Sequence, residues 1–252
     1  MKSQKFNRYG LGIIILFAAI SCHDNDLVIV KEACKVKSIA TTKGSMTETT
    51  TYQYDERRRV IEVNNDGEVR KYQYDAQSRV SKVEIFGETK EEYGYEGAMI
   101  KVTRFWWDSS ANMWRIEKTA TCYLTPNGII KAIATTLDSV IYSYDTKNNV
   151  IKSTTYFDNM LAFTFELKYS GIKNPQAVAP ASRNRVLAFD PLAQSPYLPL
   201  TISVKGVGGE WSGKVEYVKN KNNLPESSKT VIASDNSFET YSSVFTYSCE
   251  KQ

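Results

Sequence analysis

Hydrophobic and polar residues alternate along most of the chain, and the alternation is punctuated by a recurring phrase. Tyr-x-Tyr-(Asp/Glu) occurs at Tyr52/Tyr54, Tyr72/Tyr74, Tyr93/Tyr95 and Tyr142/Tyr144, with a degenerate copy at Thr121/Tyr123. The successive spacings are 20, 21, 28 and 21 residues, a repeat with one long unit. After each phrase comes a polar turn ("DERR", "DAQS", "PNG", "DTKNN") and then a hydrophobic run: "VIEV" at 60–63, "VSKVEIF" at 80–86, "IKV" at 100–102, "IIKAI" at 129–133 and "VIKS" at 150–153. The second turns, "NNDG", "FGE" and "DN", carry residues that tolerate positive φ. Each unit therefore reads as two antiparallel strands, and the series as a β-meander.

Residues two apart in a strand point the same way, so both tyrosines of a pair share one face. Equivalent strands recur after every second strand, about 10 Å apart, which lines the pairs up as a tyrosine ladder. Gln53 and Asp55, Gln73 and Asp75, Gly94 and Glu96, and Ser143 and Asp145 fall on the opposite, wet face. An exposed aromatic ladder invites aggregation, so either the sheet curls on itself or another segment lies over it. The stretch 171–200 is the candidate cover: it breaks the strand pattern, holds five of the seven prolines and includes a short helical pattern at Ser182–Phe189. Strands resume at "PLTISV", "GKVEYV", "SKTVIA" and "ETYSSVFTYSCE". The expected fold is all-β: an antiparallel β-meander of repeated hairpins, a curled sheet or roll, with a Pro-rich non-repeating segment covering one face. The domain 31–252 divides into repeats (31–170), cover (171–200) and C-terminal strands (201–252).

The first residues follow a different pattern. Lys2, Lys5 and Arg8 precede an apolar run of ten from Leu11 to Ile20, too short for a mature membrane span. Segment 1–21 reads as a secretory signal peptide, with 22–30 as a tether. The "AAISC" that ends it resembles the lipobox of bacterial lipoproteins, which implies cleavage before Cys22, acylation of Cys22 and durable attachment to a membrane. Ala19 stands where that pattern usually has Leu; the alternative is ordinary cleavage that leaves Cys22 a spare thiol.

Removing 1–21 takes away three positive charges and no negative ones, so the formal +4 becomes +1. That balance carries no argument for nucleic acid. Three cysteines follow Cys22. Cys34 and Cys249 can be joined where the terminal strands lie side by side; otherwise Cys34, Cys122 and Cys249 are buried free thiols.

The single histidine, His23, sits in the tether, so the domain cannot build a Ser-His-Asp triad, a Cys-His pair or a histidine-ligated zinc site. Phosphate-loop, zincin and calcium-loop spacings are absent, and no cofactor is expected. Paired carboxylates can hydrolyse glycosides, but Asp55, Asp75 and Asp145 stand at turn entries, where backbone bonding is their usual role. An enzyme ranks third among the readings.

The most distinctive local stretch is "RFWWDSSANMWRI" at 104–116. Adjacent Trp106 and Trp107 must face opposite ways, and the polar tip "DSSAN" brings Trp114 across from them. Such a hairpin offers a platform for sugar rings or a protein partner, or else a cross-strand cluster that strengthens the hairpin. Trp211, after "GVGGE", is a second candidate.

Tyr52, Tyr54, Asp55, Arg59 and Val60, and again Tyr72, Tyr74, Asp75, Arg79 and Val80, resemble the YD repeat of Rhs-type and toxin-complex shell proteins, whose hairpin sheets wrap into hollow shells. The match is specific over about 50–105, weaker over 120–155 and absent beyond. With the lipobox, "YSGIKNP" at 169–175 and the "FTYSCE" ending, the chain resembles a family of exported Bacteroidetes lipoproteins of unknown function. "CHDND" is similar to the acidic tag that directs some of them to the outer face of the outer membrane. The expectation is a non-catalytic cell-envelope lipoprotein, held on the membrane by its lipid and periplasmic or surface-exposed, that binds a polysaccharide or another envelope protein. The runner-up is a structural subunit of a larger outer-membrane complex.

Overall fold

The computed structural model describes residues 32–85, 87–126, 128–174, 195–207, 209–234 and 237–251. The signal segment, Cys22, the tether and the Ser182–Phe189 stretch lie outside the described residues.

Among the described residues, sixteen antiparallel strands form eight hairpins. In order they are β1 (Glu32–Lys43) with β2 (Met46–Tyr54), β3 (Val60–Asn65) with β4 (Glu68–Tyr74), β5 (Val80–Ile85) with β6 (Thr89–Glu96), and β7 (Met99–Asp108) with β8 (Met113–Leu124). Then come β9 (Ile130–Ala134) with β10 (Asp138–Tyr144), β11 (Val150–Phe157) with β12 (Met160–Lys173), β13 (Tyr197–Gly206) with β14 (Gly209–Lys219), and β15 (Pro225–Ser234) with β16 (Ser237–Lys251). Each strand pairs with its sequence neighbours, and β1 pairs with β16 from Glu32↔Lys251 to Lys43↔Tyr241, closing the sheet into a barrel. Closure is thus the means by which the aromatic face is covered, and it leaves no sheet edge running the length of the molecule.

The ladder tyrosines face inward. Tyr72, Tyr93 and Tyr142 are buried, and Tyr52, Tyr54, Tyr74, Tyr95 and Tyr144 pack on the same core, while Gln53, Gln73, Gly94 and Ser143 are exposed outside. Valines three apart also share the inner face, because a β-bulge falls between them. Tyr54 pairs with Val60 but Gln53 with Glu62, so Ile61 is the extra residue and Val60 and Val63 both point in. The same shift recurs at Val80/Val83 and Ile130/Ile133.

The second tyrosine of each phrase ends its strand, and its hydroxyl donates to a carbonyl at the start of the neighbouring strand of the same hairpin. Tyr54 reaches Val36, Tyr74 reaches Val60, Tyr95 reaches Val80 and Tyr169 reaches Val150; Tyr217 reaches Pro199 and Tyr247 reaches Pro225, all at 2.6–2.9 Å. Tyr144 does the same to Ile130. The pattern therefore runs through seven of the eight hairpins and well past residue 155, where the sequence match ends. In the hairpin of β7 and β8 the position is taken by Leu124, which precedes the turn at Thr125 as Tyr54 precedes Asp55. The degenerate copy read at Thr121/Tyr123 is thus one residue out of phase: Cys122 is 0% exposed and Tyr123 39%.

The acidic residue after the latch organises the turn. The Asp55 carboxylate accepts from the Arg59 backbone N–H and from its guanidinium (2.8 and 2.7 Å), and Arg59 lies 4.2 Å over the ring of Tyr74 in the next repeat. Asp75, Arg79 and Tyr95 repeat the arrangement. At Asp145 the arginine is replaced by Asn149, whose amide takes over the same contact at 2.9 Å. At this copy, loss of Arg therefore leaves the turn geometry intact, whereas after Glu96 the turn is a tighter one, with Glu96 paired directly to Met99.

The outward face is polar and charged. Lys82–Glu84, Lys90–Glu92, Lys101–Glu96, Lys152–Glu166, Lys205–Glu210 and Lys214–Glu216 pair across it. The ladder tyrosines and the valines of the core face the other way, inward. The stretch 171–200 is partly strand at both ends, in β12 and β13, and its flanking Asn174 and Ser195 are buried at the latched end, where the Asn174 amide donates to the Ser195 carbonyl (3.1 Å).

Candidate functional site

The hairpin of β7 and β8 is the longest unit of the repeat region and rises beyond its neighbour. β9 pairs with β8 from Thr121 to Leu124, whereas β7 pairs with it up to Asp108↔Met113. A bulge at Glu117 offsets the two sides of this extension.

Backbone alternation sends Trp106 and Trp107 to opposite faces. Trp107 lies outside, paired with Trp114 at a centroid separation of 5.3 Å in edge-on geometry. The Lys90 ammonium sits 4.5 Å over Phe105 and 5.2 Å over Trp114, which makes the outer cluster a packed one. Trp106 lies on the inner face near the mouth, with Thr89 and Arg115 as its cross-strand neighbours, and is 41% exposed.

Beside Trp106 sits an ion pair that the Trp-centred reading of the sequence overlooks. Asp108 is buried and accepts from the Ser110 hydroxyl (2.6 Å), the Ala111 N–H (3.1 Å) and the guanidinium of half-exposed Arg115 (2.5 Å). The Ser110 and Arg115 bonds hold its carboxyl down at about 2. Its signal in the sequence is an Asp two residues before a Ser at a polar hairpin tip, which is the spacing of an Asx turn. Deeper on the same wall, buried Glu91 accepts from the Tyr93 hydroxyl (2.6 Å), and Arg104, directly across from Glu91, pairs with Glu117 at 3.1 Å.

The depressed pKa gives a directional expectation. Asp108 stabilises the hairpin tip above its unfolded pKa of about 4, and that contribution disappears as pH falls toward about 2. Tryptophan emission should shift over this window in the wild type. In Asp108→Asn it should already be shifted at neutral pH; identical acid profiles for the two proteins would remove Asp108 from the account.

Trp211 is not brought near the hairpin. It lies on the inner face of β14, against Phe165 of β12 at 6.1 Å, on a different part of the wall. Cys34 and Cys249 lie opposite each other on β1 and β16 and are joined, with an S–S distance of 2.10 Å. Cys122 is free and buried, and burial pushes its thiol up to about 12, which keeps it protonated and unreactive. Among the described residues no three His, Cys, Asp or Glu side chains converge to hold a metal. Cys22 lies outside the described residues.

Comparison with known proteins places this architecture among others. The family model of the Teneurin YD-shell matches residues 28–181. A porin-like protein from Bacteroides uniformis is similar at 14% identity, over 84% of this chain and 98% of its own, with a TM-score of 0.43. A porin-like protein from Bacteroides vulgatus is similar at 12% identity, over 86% of this chain and 99% of its own, with a TM-score of 0.48. The structure of TcdB2-TccC3-TEV is similar at 11% identity over 77% of this chain and 15% of its own, with a TM-score of 0.24. No curated protein matches the chain.

Proposed function

The chain belongs to the Teneurin YD-shell family, and from that premise we propose that it is a non-catalytic barrel-shaped shell of the cell envelope that binds a neutral glycan at its mouth. Lipidation of Cys22 anchors it to the outer membrane, and the charged outer wall keeps the barrel in water beside that membrane. The observation that carries the binding reading is Trp106: a 41%-exposed indole on the inner face at the mouth, flanked by the Asp108–Arg115 pair. A flat aromatic surface stacks on the C–H face of a sugar ring, and an adjacent oriented guanidinium donates to its hydroxyls. Asp108 and Arg115 cancel in charge, which suits a neutral polymer.

The test is affinity electrophoresis of residues 32–252 through gels containing host and plant polysaccharides. Trp106→Ala should weaken retardation at least about tenfold, equivalent to roughly 1.4 kcal/mol, while Trp107→Ala, on the packed outer cluster, should leave it largely intact. Retardation on no polymer, or equal loss in both variants, would overturn the assignment to Trp106. Retardation on no polymer would move the search to an envelope-protein partner.

A further inference from the structure

The two ends of the barrel differ in charge. Turns within a hairpin stand at the mouth, and turns between hairpins stand at the latched end. At the mouth Glu48, Asp66, Glu88, Asp138 and Asp158 have no basic partner among the described residues. The basic side chains nearest those turns are already committed: Lys43 to Glu239, Arg70 to Glu68, Lys90 to Glu92, Arg115 to Asp108 and Lys205 to Glu210. The latched end has the opposite sign. Lys37, Arg57, Lys147, Lys219 and Lys221 are exposed there without an acidic partner among the described residues, against exposed Glu56 and Glu226. Asp55 and Asp75 are taken by Arg59 and Arg79, and Asp145 is bound by the Asn149 amide.

The chain enters the barrel at the basic end, where Glu32 begins β1 and pairs with Lys251. Nine residues separate Glu32 from Cys22, a reach of about 30 Å when drawn straight. From there β1 runs 12 residues, about 40 Å of strand, toward the mouth. An anchor at Cys22 therefore keeps the basic end within reach of a bilayer and the acidic rim further out. Basic groups feel anionic headgroups only within about a Debye length, about 8–10 Å, and a tether this short supplies the high local concentration that a few charges need. A soluble polyanion gains nothing from that proximity. We infer that the latched end docks on an anionic lipid surface through Arg57, Lys147, Lys219 and Lys221, which turns the mouth and Trp106 away from the membrane. The inference rests on the anchor at Cys22 and not on the glycan reading of Trp106.

The full chain, expressed in bacteria with its N-terminal segment and extracted from the envelope, is reconstituted on vesicles of phosphatidylcholine alone or mixed with phosphatidylglycerol. A maleimide donor dye is placed at Ala76→Cys, in an exposed turn of the latched end, or at Ser45→Cys, in an exposed turn of the mouth, with an acceptor on the lipid headgroups. Cys34 and Cys249 are joined and Cys122 is buried, so the dye goes to the introduced thiol. Energy transfer from Ala76→Cys should exceed that from Ser45→Cys at least about twofold on the anionic vesicles, and should fall on neutral ones or in high salt. Arg57→Glu/Lys147→Glu/Lys221→Glu, all at exposed positions, should cancel the effect of anionic lipid with flotation and the far-ultraviolet spectrum unchanged. Equal transfer from the two positions, or transfer that ignores both lipid charge and the triple variant, would overturn docking while leaving the anchor in place, and would reassign the basic end to an acidic protein. Dye uptake by the wild type at Cys22, with no flotation on either vesicle, would overturn the anchor and this inference with it.

Discussion

Reducing the Cys34–Cys249 bond is expected to cost the barrel about 5 kcal/mol of stability without opening it. The bond joins residues 215 apart, nearly the whole barrel chain, and a cross-link acts mainly by restricting the unfolded ensemble. The chain-entropy relation for a loop of that length gives about 5 kcal/mol, at the upper end of the measured range. The native seam has its own support. β1 and β16 are hydrogen-bonded along their lengths, the Lys43 ammonium bonds Glu239 at 2.8 Å, and the Thr41 and Ser243 hydroxyls meet at 3.0 Å. Urea unfolding with and without a phosphine reductant, alongside Cys34→Ser/Cys249→Ser, checks this. The midpoint should fall while the m-value rises, because the unfolded chain becomes less compact once the link is gone. A loss below about 1 kcal/mol would mean that the unfolded chain is already restrained by residual structure.

The second large effect is expected at Tyr95. Its ring is packed on the core, its hydroxyl donates to the Val80 carbonyl at 2.8 Å, and the Arg79 guanidinium stacks on it at 4.0 Å while bound to Asp75. Tyr95→Ala removes all three contacts and opens a cavity, so a loss of about 3–5 kcal/mol is expected. Tyr95→Phe keeps the ring but strands the Val80 carbonyl, and should cost about 1–2 kcal/mol. The pair of variants separates packing from hydrogen bonding; equal losses would show that the hydroxyl, not the ring, dominates. Burial also pushes the Tyr95 phenol up to about 12. Its contribution is therefore complete below its unfolded pKa of about 10 and is lost as pH rises toward about 12, a slope that Tyr95→Phe should flatten.

Local patterns carried most of the strand assignment. Tyr-x-Tyr alternation and the polar turns are short-range properties, so β2 to β6 and β10 could be read directly from residues close in sequence. The phase at Cys122/Leu124 could not, because Tyr123 supplied the expected residue type one position early; the turn beginning at Thr125 and the bulge at Tyr123/Leu124 set the true phase. The later latches at Tyr169, Tyr217 and Tyr247 were hidden for a related reason. Their partners two residues earlier are Leu167, Val215 and Phe245, which fill the same inward position without repeating the phrase.

The candidate site divides in the same way. That Trp106 and Trp107 face apart follows from strand geometry alone, and so does the placement of Trp114 across the hairpin. Which tryptophan faces the interior depends on the hand in which the sheet closes, a long-range property invisible in a ten-residue window. Likewise Trp211 acquires its aromatic neighbours through the pairing of β12, β13 and β14, across the stretch 171–200 that breaks the repeat.

By itself, the sequence determined an all-β chain of repeated hairpins with one aromatic and one wet face, because alternation and turn chemistry act between residues a few positions apart. Tertiary structure decided that the sheet closes and that Cys34 meets Cys249. It also decided that the ion pair of β7 and β8 and the rings of β12 and β14 lie on the same, inner face of the closed sheet. Those outcomes depend on how twist and register accumulate over sixteen strands, and no single stretch of the chain encodes that sum.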